Sequence, residues 1–367
     1  MPLTAGIVGL PNVGKSTLFN AITKQIVLAA NYPFATIDPN VGVVTVPDER
    51  LAKLEAVYNP KKTTPTTFEF TDIAGLVKGA SLGEGLGNQF LSHIREVDAI
   101  CQVVRCFENN DIIHVEGEVD PTRDIGIINT ELMLSDIETI DKRLYKIEKK
   151  ALKVNDKEGL FEVALLKKIK ENLEQDIPAR TLTYNDNEKR ALKNISLLTL
   201  KPVIYIANVN EDEFTSPDNE AVLAVKEIAQ KENASVVKVS AEMEAELSVF
   251  SDEERIEYLE ASGIKETGLD NLIKATYKLL GLETFFTAGP NEVRAWTFVR
   301  GSKAPECGGI IHTDMMRGFI KAEVMSFEDL IKYGSELKTK EAGKLRIEGK
   351  DYEIKDGDIC HFRFNVT

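Results

Sequence analysis

A glycine-rich segment near the start of the chain has the residue types and the spacing that bind phosphate groups. It is Gly9-Leu-Pro-Asn-Val-Gly-Lys-Ser-Thr17, which fits the pattern Gly-x4-Gly-Lys-Ser/Thr between an apolar strand and a helix. Glycines allow a tight turn whose N–H groups point at a phosphate, and the helix N-terminus adds positive potential. Lys15 is expected to reach the β- and γ-phosphate oxygens, and the Ser16 hydroxyl to ligate Mg2+. The nucleotide contacts predicted in this segment are Asn12, Val13, Gly14, Lys15, Ser16 and Thr17.

Two further loops supply the parts of a nucleotide-dependent switch. Asp72-Ile-Ala-Gly75 follows the β-rich residues 67–70, so that the Asp72 carboxylate can hold Mg2+ through water and Gly75 can approach the γ-phosphate. Upstream, Tyr32-Pro-Phe-Ala-Thr36 offers the Thr36 hydroxyl, which is expected to complete the magnesium coordination only when a triphosphate is bound. The predicted metal ligands are Ser16, Thr36 and Asp72.

The chain lacks the glutamine with which many GTPases orient the attacking water. Leu76 stands directly after the Asp-x-x-Gly motif, and a leucine side chain cannot orient or polarise water. We therefore expect slow intrinsic hydrolysis, with the missing group supplied from elsewhere. His114 follows the apolar strand at residues 100–106, on a loop that can reach the γ-phosphate. An ordinary loop histidine stays open as an alternative, and His93 on the predicted helix 88–97 is the rival catalytic candidate.

The choice of base depends on the segment Asn208-Val-Asn-Glu211, which stands where GTP-specific P-loop proteins carry Asn-Lys-x-Asp. The aspartate of that motif accepts hydrogen bonds from guanine N1–H and the 2-amino group, whereas here the longer Glu211 replaces it and Val209 replaces the lysine. Adenine presents N6 as a donor and N7 as an acceptor, and the Asn208 amide can match both. We predict a preference for ATP over GTP, with Asn208 and Val209 as base contacts. Asp212 keeps some guanine recognition open, because a shifted register would bring it to the base.

These loops need a scaffold, and the pattern of the chain indicates an α/β fold. Apolar runs at residues 100–106 and 203–207 are typical of strands buried in a parallel sheet. Strands separated by helices imply right-handed crossovers and a doubly wound, mostly parallel sheet. The fold class that this predicts is a P-loop nucleotide-binding domain with a helical insertion and a second, C-terminal α+β domain.

The insertion between the two apolar runs is charged, and its apolar residues recur every three and four positions. One seam runs from Ile137 to Ala151, a second helical pattern spans residues 160–173, and a third helix is expected at 188–198. We predict an antiparallel helical coiled-coil arm, for which a plain structural insert and a partner-binding role both stay open. The expected domains are the nucleotide-binding domain at 1–120 and 200–280, the arm at 121–199 and the α+β domain at 281–367.

Composition restricts the function classes. The chain has 367 residues and a formal net charge of −14, which argues against non-specific nucleic-acid binding through the whole surface and leaves a local basic patch open. No apolar run approaches the roughly 20 residues of a membrane helix, and no secretory signal is recognised. The four cysteines show no paired spacing, so buried thiols in a reducing compartment are expected. We therefore expect a cytoplasmic protein with no membrane partner and no specific DNA partner.

The combination of motifs resembles the YchF family, in the Obg branch of the P-loop GTPase-like proteins. The matching segments are Gly9 to Thr17, Tyr32-Pro-Phe-Ala-Thr36, Asp72-Ile-Ala-Gly-Leu-Val-Lys-Gly-Ala-Ser81, Asn208-Val-Asn-Glu211 and Lys350-Asp-Tyr-Glu-Ile-Lys-Asp-Gly-Asp358. The resemblance covers nearly the whole chain. It implies that the C-terminal domain is a TGS domain with a ubiquitin-like β-grasp fold.

The resemblance also carries expectations about function. It implies an ATP-hydrolysing regulatory protein that binds the ribosome, through ribosomal RNA or proteins, and switches with its nucleotide in translation or the stress response. It implies a catalytic role for His114 beside Lys15. An asparagine at the position of Asn12 helps to hold K+ in several potassium-activated P-loop proteins, so K+ stimulation is a further hypothesis. A P-loop metabolic kinase, a GTP-preferring Obg-type GTPase and an ATP-binding scaffold without catalysis are the alternatives.

Overall fold

The computed structural model describes residues 3–25, 40–74, 86–109, 117–154 and 156–366. The chain divides into two compact units, the first made of Met1–Val43 and Glu69–Thr276, the second of Val44–Phe68 and Tyr277–Thr367. The domain limits given above stay a prediction. None of the helices in the described ranges combines the length and the apolar character that a membrane crossing requires.

The helices and strands of the described residues alternate along most of the chain. The strands are β1 (Thr4–Val8), β2 (Val41–Thr45), β3 (Thr63–Thr64), β4 (Thr67–Asp72), β5 (Ala99–Arg105), β6 (Val203–Asn208), β7 (Ser235–Val239), β8 (Leu282–Ala288), β9 (Val293–Val299), β10 (Phe319–Ser326), β11 (Arg346–Glu348) and β12 (Asp358–Phe364). The α-helices are α1 (Lys15–Gln25), α2 (Glu49–Tyr58), α3 (Leu86–Glu96), α4 (Pro121–Val154), α5 (Lys157–Leu173), α6 (Asp186–Leu192), α7 (Glu211–Phe214), α8 (Glu220–Glu232), α9 (Ala241–Leu247), α10 (Asp252–Ala261), α11 (Gly268–Leu279), α12 (Ala304–Ile311), α13 (Thr313–Arg317), α14 (Phe327–Tyr333) and α15 (Glu336–Glu341).

The first unit is built on a six-stranded sheet in the order β2-β4-β1-β5-β6-β7. Strand β1 pairs in parallel with β4 and β5, and β6 pairs in parallel with β5 and β7. Every residue of β5 and β6 is buried, as is usual for strands covered by helices on both faces. Because these strands share one direction, the carboxyl ends of β1, β5 and β6 meet at one edge, where α/β proteins bind their ligands.

The helical insertion forms its own small core. Ile140 and Leu144 of α4 pack with Leu166 and Ile169 of α5, which are the apolar positions of the seams read from the sequence. Helix α5 begins at Lys157, earlier than the predicted residue 160, because the Asp156 side chain accepts from the N–H of Glu158 at 3.2 Å and caps the helix. The third helix, α6, ends at Leu192 instead of residue 198.

Ion pairs between α4 and α5 define the direction of the two helices. Arg143 pairs with Glu162 at 2.6 Å, and Lys170 pairs with Asp141 at 2.6 Å. The paired residue numbers rise along α4, from 141 to 143, while they fall along α5, from 170 to 162. The two helices are therefore antiparallel, as the sequence predicts.

The second unit contains a six-stranded mixed sheet in the order β11-β10-β12-β8-β9-β3. Strands β8 and β9 are antiparallel, as are β10 and β12, whereas β12 and β8 are parallel. Helices α12 and α13 contribute to an aromatic core that includes Phe285, Phe298 and Phe362.

Residues 44–68 belong to the second unit, although they lie far from its other residues in the sequence. Strand β3 pairs in parallel with β9, and Leu54 of α2 packs with Phe286 and Leu330. Arg50 at the start of α2 binds the Asp356 carboxylate with two nitrogens, at 2.8 and 3.2 Å. A bidentate arginine–carboxylate pair fixes orientation as well as distance, so α2 is held firmly in this unit.

Candidate nucleotide site

A cleft of about 590 Å³ lies in the first unit where β1 and β6 end and α9 begins. Its volume is in the range of small-molecule binding sites. The residues that line it come from the phosphate-binding segment, from the loop after β5, from the loop after β6 and from α9. They are Asn12, Gly14, Thr17, Phe107, Asn109, Asn208, Val209, Asn210, Ala241, Glu242, Ala245, Glu246 and Val249.

The phosphate-binding segment has the backbone that its glycines predict. Gly14 adopts φ = 91°, a left-handed conformation that glycine accepts without strain, and Asn12 adopts φ = 62°. A Cβ at Gly14 would lie 2.2 Å from Nδ2 of Asn208. Helix α1 begins directly afterwards, and the N–H of Leu18 donates to the carbonyl oxygen of Gly14 at 3.0 Å. Position 14 therefore tolerates only glycine, for reasons of both torsion and space.

Lys15 and Asp72 form an ion pair at the phosphate end of the site. Lys15 stands in the first turn of α1, Asp72 ends β4, and the two side chains are 10% and 24% exposed. A lysine buried to this degree needs a counter-charge. The Ser16 and Thr17 side chains are exposed in the same turn. The structure thus brings Lys15 and Asp72 together and leaves Ser16 accessible beside Lys15 in the chain.

The oxygen donors available here match the preference of Mg2+. A serine hydroxyl and a single carboxylate are hard ligands of the kind that Mg2+ takes together with substrate phosphates and water. Ser16 and Asp72 therefore fit the ion as members of such a mixed set. In the described ranges, no three His, Cys, Asp or Glu side chains group as metal ligands.

Asn208 joins two walls of the cleft. Its Nδ2 donates to the carbonyl oxygen of Val13 at 2.9 Å, and its Oδ1 accepts from the N–H of Ala241 at 2.9 Å. The side chain is only 3% exposed. The bidentate recognition of adenine N6 and N7 inferred from the sequence must therefore share this amide with two protein contacts. One N–H and one lone pair of Asn208 remain beyond these two bonds.

Val13 and Val209 have structural roles at the edge of the cleft. Val13 is buried, and the N–H of Val209 donates to the carbonyl oxygen of Val239 at 2.9 Å. Val209 lines the cleft and Val13 does not. Val13 therefore contributes through its carbonyl oxygen, which accepts from Asn208, whereas Val209 borders the cleft although it is only 3% exposed.

Glu211 and Asp212, the acidic residues weighed for guanine recognition, are not among the residues that line the cleft. The hydroxyl of Tyr258 on α10 donates to Oε1 of Glu211. This hydrogen bond is the main reason that the pKa of Tyr258 is raised to about 12, with burial as the second cause. The Glu211 carboxylate is thus engaged outside the cleft.

Arg105 is a functional candidate that sequence reasoning missed. It ends β5, is 2% exposed, and donates from Nε to the carbonyl oxygen of Phe107 at 3.2 Å and from Nη2 to that of Asn109 at 3.1 Å. Its guanidinium also lies 4.6 Å from the centre of the Phe107 ring. Because Phe107 and Asn109 line the cleft, Arg105 shapes the cleft wall from behind. An arginine at the end of an apolar run gives no such signal in the sequence.

Several predicted site residues lie outside the described residues. They are Thr36, Gly75 and His114, together with Leu76. Their predicted roles in magnesium binding, γ-phosphate contact and catalysis stay predictions. The rival His93 is described, and it is an exposed residue of α3, as the sequence suggests.

Comparison with known proteins decides the family. The 50S ribosome-binding GTPase profile matches residues 4–132, and the profile of the YchF GTPase C-terminal region, described as a protein of unknown function, matches residues 282–365. Ribosome-binding ATPase YchF of Bacillus subtilis is 59% identical over 367 residues, and that of Escherichia coli O157:H7 is 55% identical over 366 residues, with all of each chain covered. The chain belongs to the YchF family.

Solved structures agree with this membership. The YchF GTPase of Schizosaccharomyces pombe is 41% identical and superimposes with a TM-score of 0.88 over 98% of this chain and 97% of its own. A GTP-binding protein of Pyrococcus horikoshii shares the fold at 19% identity, with a TM-score of 0.60. The predicted fold class is confirmed: a YchF-family P-loop α/β domain with added helices and a C-terminal domain built on a β-sheet. P-loop nucleoside triphosphatases in general work with Mg2+.

Proposed function

We propose that this YchF-family chain is a cytoplasmic, Mg2+-dependent ATPase that binds the ribosome and switches with its nucleotide in translation or the stress response. Its curated relatives are named ribosome-binding ATPases. The observation that carries the choice of ATP is the position of Glu211. The residue that replaces the guanine-binding aspartate is bonded to Tyr258 and does not line the cleft.

The phosphate end supports binding of a magnesium nucleotide. The Lys15 ammonium forms an ion pair with the Asp72 carboxylate. A β- or γ-phosphate near the start of α1 offers Lys15 a stronger partner and releases Asp72 to hold Mg2+ through water. The Ser16 hydroxyl, in the same turn, supplies a direct ligand. Thr36 and Gly75 complete this arrangement in the proposal.

The hydrogen-bonding groups at the base end of the cleft favour adenine over guanine. Asn208 retains one N–H and one lone pair, which suit the N7 acceptor and the N6 donor of adenine. Val209 and Phe107 provide apolar surface for the ring. Guanine needs an acceptor pair at N1 and the 2-amino group, and Glu211 does not provide it.

One observation favours the GTP-preferring alternative. Glu242 and Glu246 line the cleft from one side of α9, and carboxylates accept from the N–H groups of guanine. The variant Glu242→Gln/Glu246→Gln distinguishes ATP binding through Asn208 from GTP binding through the two carboxylates. If ATP is the natural ligand through Asn208, this variant keeps its ATP affinity; if GTP binds through the two carboxylates, its GTP affinity falls by roughly tenfold or more.

Hydrolysis is proposed to be slow until a partner assists it. Leu76 cannot orient water, and His114 is the proposed catalytic group that acts with Lys15. Asn12 borders the cleft with a left-handed backbone and is the proposed contact for K+. Comparing turnover in potassium chloride and sodium chloride tests that part of the proposal.

Two experiments test the function as a whole. A competition titration with ATP and GTP is expected to show tighter binding of ATP, and the reverse order would refute the base assignment. Multiple-turnover assays with and without ribosomes are expected to show ADP and phosphate release that ribosomes accelerate. Release of ADP without an acceptor excludes the kinase alternative, and no turnover in either condition would favour a scaffold. Co-sedimentation with ribosomes in ATP, ADP and a non-hydrolysable analogue measures the switch.

A further inference from the structure

We propose that the outward face of α4 near the end of the arm is an RNA-docking face, formed by Tyr145, Lys146 and Lys149. This inference rests on the proposed ribosome binding and assigns the contact to ribosomal RNA. We call these three residues the distal arm face. It lies far along the chain from the residues of the cleft.

Charge is concentrated in this part of the chain. Residues 142–170 contain ten Lys and Arg residues against four Asp and Glu residues, whereas the whole chain has 45 against 59. Part of this formal excess of six is neutralised by acidic residues outside the segment, since Lys142 pairs with Glu138 and Lys170 with Asp141. The remainder still contrasts with a chain whose net charge is −14. Local attraction of phosphates by lysine does not need a basic protein, because salt screens charges beyond about 10 Å.

The positions of the three residues place them on one side of α4. Residues three and four apart share a helix face, and Lys149 stands three residues after Lys146 and four after Tyr145. The opposite side of the helix carries Ile140 and Leu144, which are buried in the arm core. The distal arm face consequently points away from α5.

The lysines of the distal arm face have no ion-pair partners among the described residues, unlike most basic residues around them. Lys167 pairs with Glu148 at 2.7 Å, and Arg143 pairs with Glu162. Among the described residues, no acidic side chain forms an ion pair with Lys146 or Lys149. Both side chains are exposed. Their charges are available to an external partner.

Tyr145 makes RNA the better partner than an acidic protein segment. Its side chain is 79% exposed, and Nζ of Lys149 lies 5.8 Å from the centre of its ring. An aromatic ring beside cations is the arrangement on which single-stranded bases stack while their phosphates are neutralised. An acidic protein segment would satisfy the lysines and leave the tyrosine ring in water.

The test compares two variants with a matched control in the full-length protein. Lys146→Glu/Lys149→Glu reverses the charge of the face, and Tyr145→Ala removes the ring. Lys189→Glu/Lys193→Glu makes the same charge change on and beside α6. Binding is measured to intact ribosomes and to protein-free ribosomal RNA at several salt concentrations. Intrinsic ATP hydrolysis and thermal unfolding report whether each variant is folded.

We expect both face variants to bind ribosomes and protein-free ribosomal RNA roughly tenfold or more weakly, with unchanged intrinsic turnover. The double reversal is also expected to reduce the slope of log affinity against log salt by about 0.7 for each lysine. The control is expected to bind as the wild type does.

Other outcomes overturn the inference in distinct ways. Ribosome binding by the face variants equal to that of the wild type would remove the face from the interface and leave the proposed function standing. Weaker ribosome binding with unchanged binding to protein-free RNA would assign the face to a ribosomal protein. If the wild type binds no ribosomes in any nucleotide state, the proposed function fails, and the protein-free RNA measurement decides the face by itself.

Discussion

Asn208 donates a hydrogen bond from Nδ2 to the carbonyl oxygen of Val13 at 2.9 Å, and this bond ties the end of β6 to the phosphate-binding segment. The same amide accepts from the N–H of Ala241 at the start of α9. One buried side chain therefore sets the relative position of three parts of the cleft. Asn208, which the sequence assigns only to recognition of the base, also holds the phosphate-binding segment in place.

Replacing Asn208 by alanine is expected to weaken both folding and nucleotide binding. The carbonyl of Val13 and the N–H of Ala241 would each lose a buried partner, at a cost of about 1–3 kcal/mol per group. Urea denaturation and an ATP titration measure the two effects. Asn210→Ala is the control, since Asn210 also lines the cleft and stands at the start of α7, whereas the bonds to Val13 and Ala241 come from Asn208. A loss of ATP affinity without loss of stability would contradict the bridging role.

Gly14→Ala is expected to abolish nucleotide binding. The new Cβ would meet Nδ2 of Asn208 at 2.2 Å, in a backbone with φ = 91°. Gly117→Ala is a matched control, because Gly117 has φ = 89° and no described residue lies within 4 Å of an added Cβ. The control should show only torsional strain of about 1–2 kcal/mol. Equal losses of stability in the two variants would show that the contact with Asn208 is unimportant.

Arg105→Lys is expected to lower ATP affinity by roughly tenfold while the protein stays folded. Lysine keeps the charge but lacks the planar guanidinium, which donates from two separate nitrogens to the carbonyl oxygens of Phe107 and Asn109 and lies against the Phe107 ring. Calorimetric titration with ATP measures the change, and near-ultraviolet circular dichroism reports on the environment of the aromatic side chains. If Arg105→Lys binds ATP as tightly as the wild type does, the loop that contains Phe107 and Asn109 does not need the hydrogen bonds from Arg105.

Glu244 is expected to make stability fall as the pH rises. Burial, opposed by the N–H of Leu269, raises the pKa of Glu244 from 4.5 to about 7, with Asp270 adding to the rise and Arg255 opposing it. Because the folded-state pKa lies above the unfolded one, the stabilisation is complete below pH 4.5 and is lost as the pH rises through about 7. The loss amounts to about 3 kcal/mol at most.

The variant Glu244→Gln tests this dependence. Glutamine retains an acceptor for the N–H of Leu269, which Oε1 of Glu244 binds at 2.9 Å, and it does not ionise. Its free energy of unfolding should therefore change less between pH 5 and pH 8 than that of the wild type. Identical pH profiles for the two proteins would assign the dependence to other groups.

The parts of the site that the sequence predicts well are those defined by neighbouring residues. The turn around Gly14 and the start of α1 at Lys15 follow from local torsions and helix geometry, so a short motif suffices. The sequence assigns Asp72 to Mg2+ and does not predict its ion pair with Lys15, which forms because Asp72 ends the strand next to β1. The apolar seam of the arm is also a local pattern, because its repeat every three and four residues is that of a single helix.

What the sequence does not reveal depends on contacts between distant residues. Arg105 supports a loop only because β5 ends beneath it, and Glu211 leaves the cleft only because α10 brings Tyr258 to it. Nothing near residues 44–68 indicates that they belong with the C-terminal strands. These features depend on packing between residues that are far apart in the sequence, and local sequence patterns do not contain that information.

The discontinuous second unit has a consequence for how the protein is made. Helix α2 and strand β3 leave the ribosome with residues 44–68, and their packing partners begin at Tyr277, about 200 residues later. At about 5–20 residues per second, these early segments wait for about 10–40 s. During that interval the apolar side chain of Leu54 lacks the core that covers it in the finished unit. Synthesis of this chain therefore includes a period in which an apolar nascent segment has no core in which to be buried.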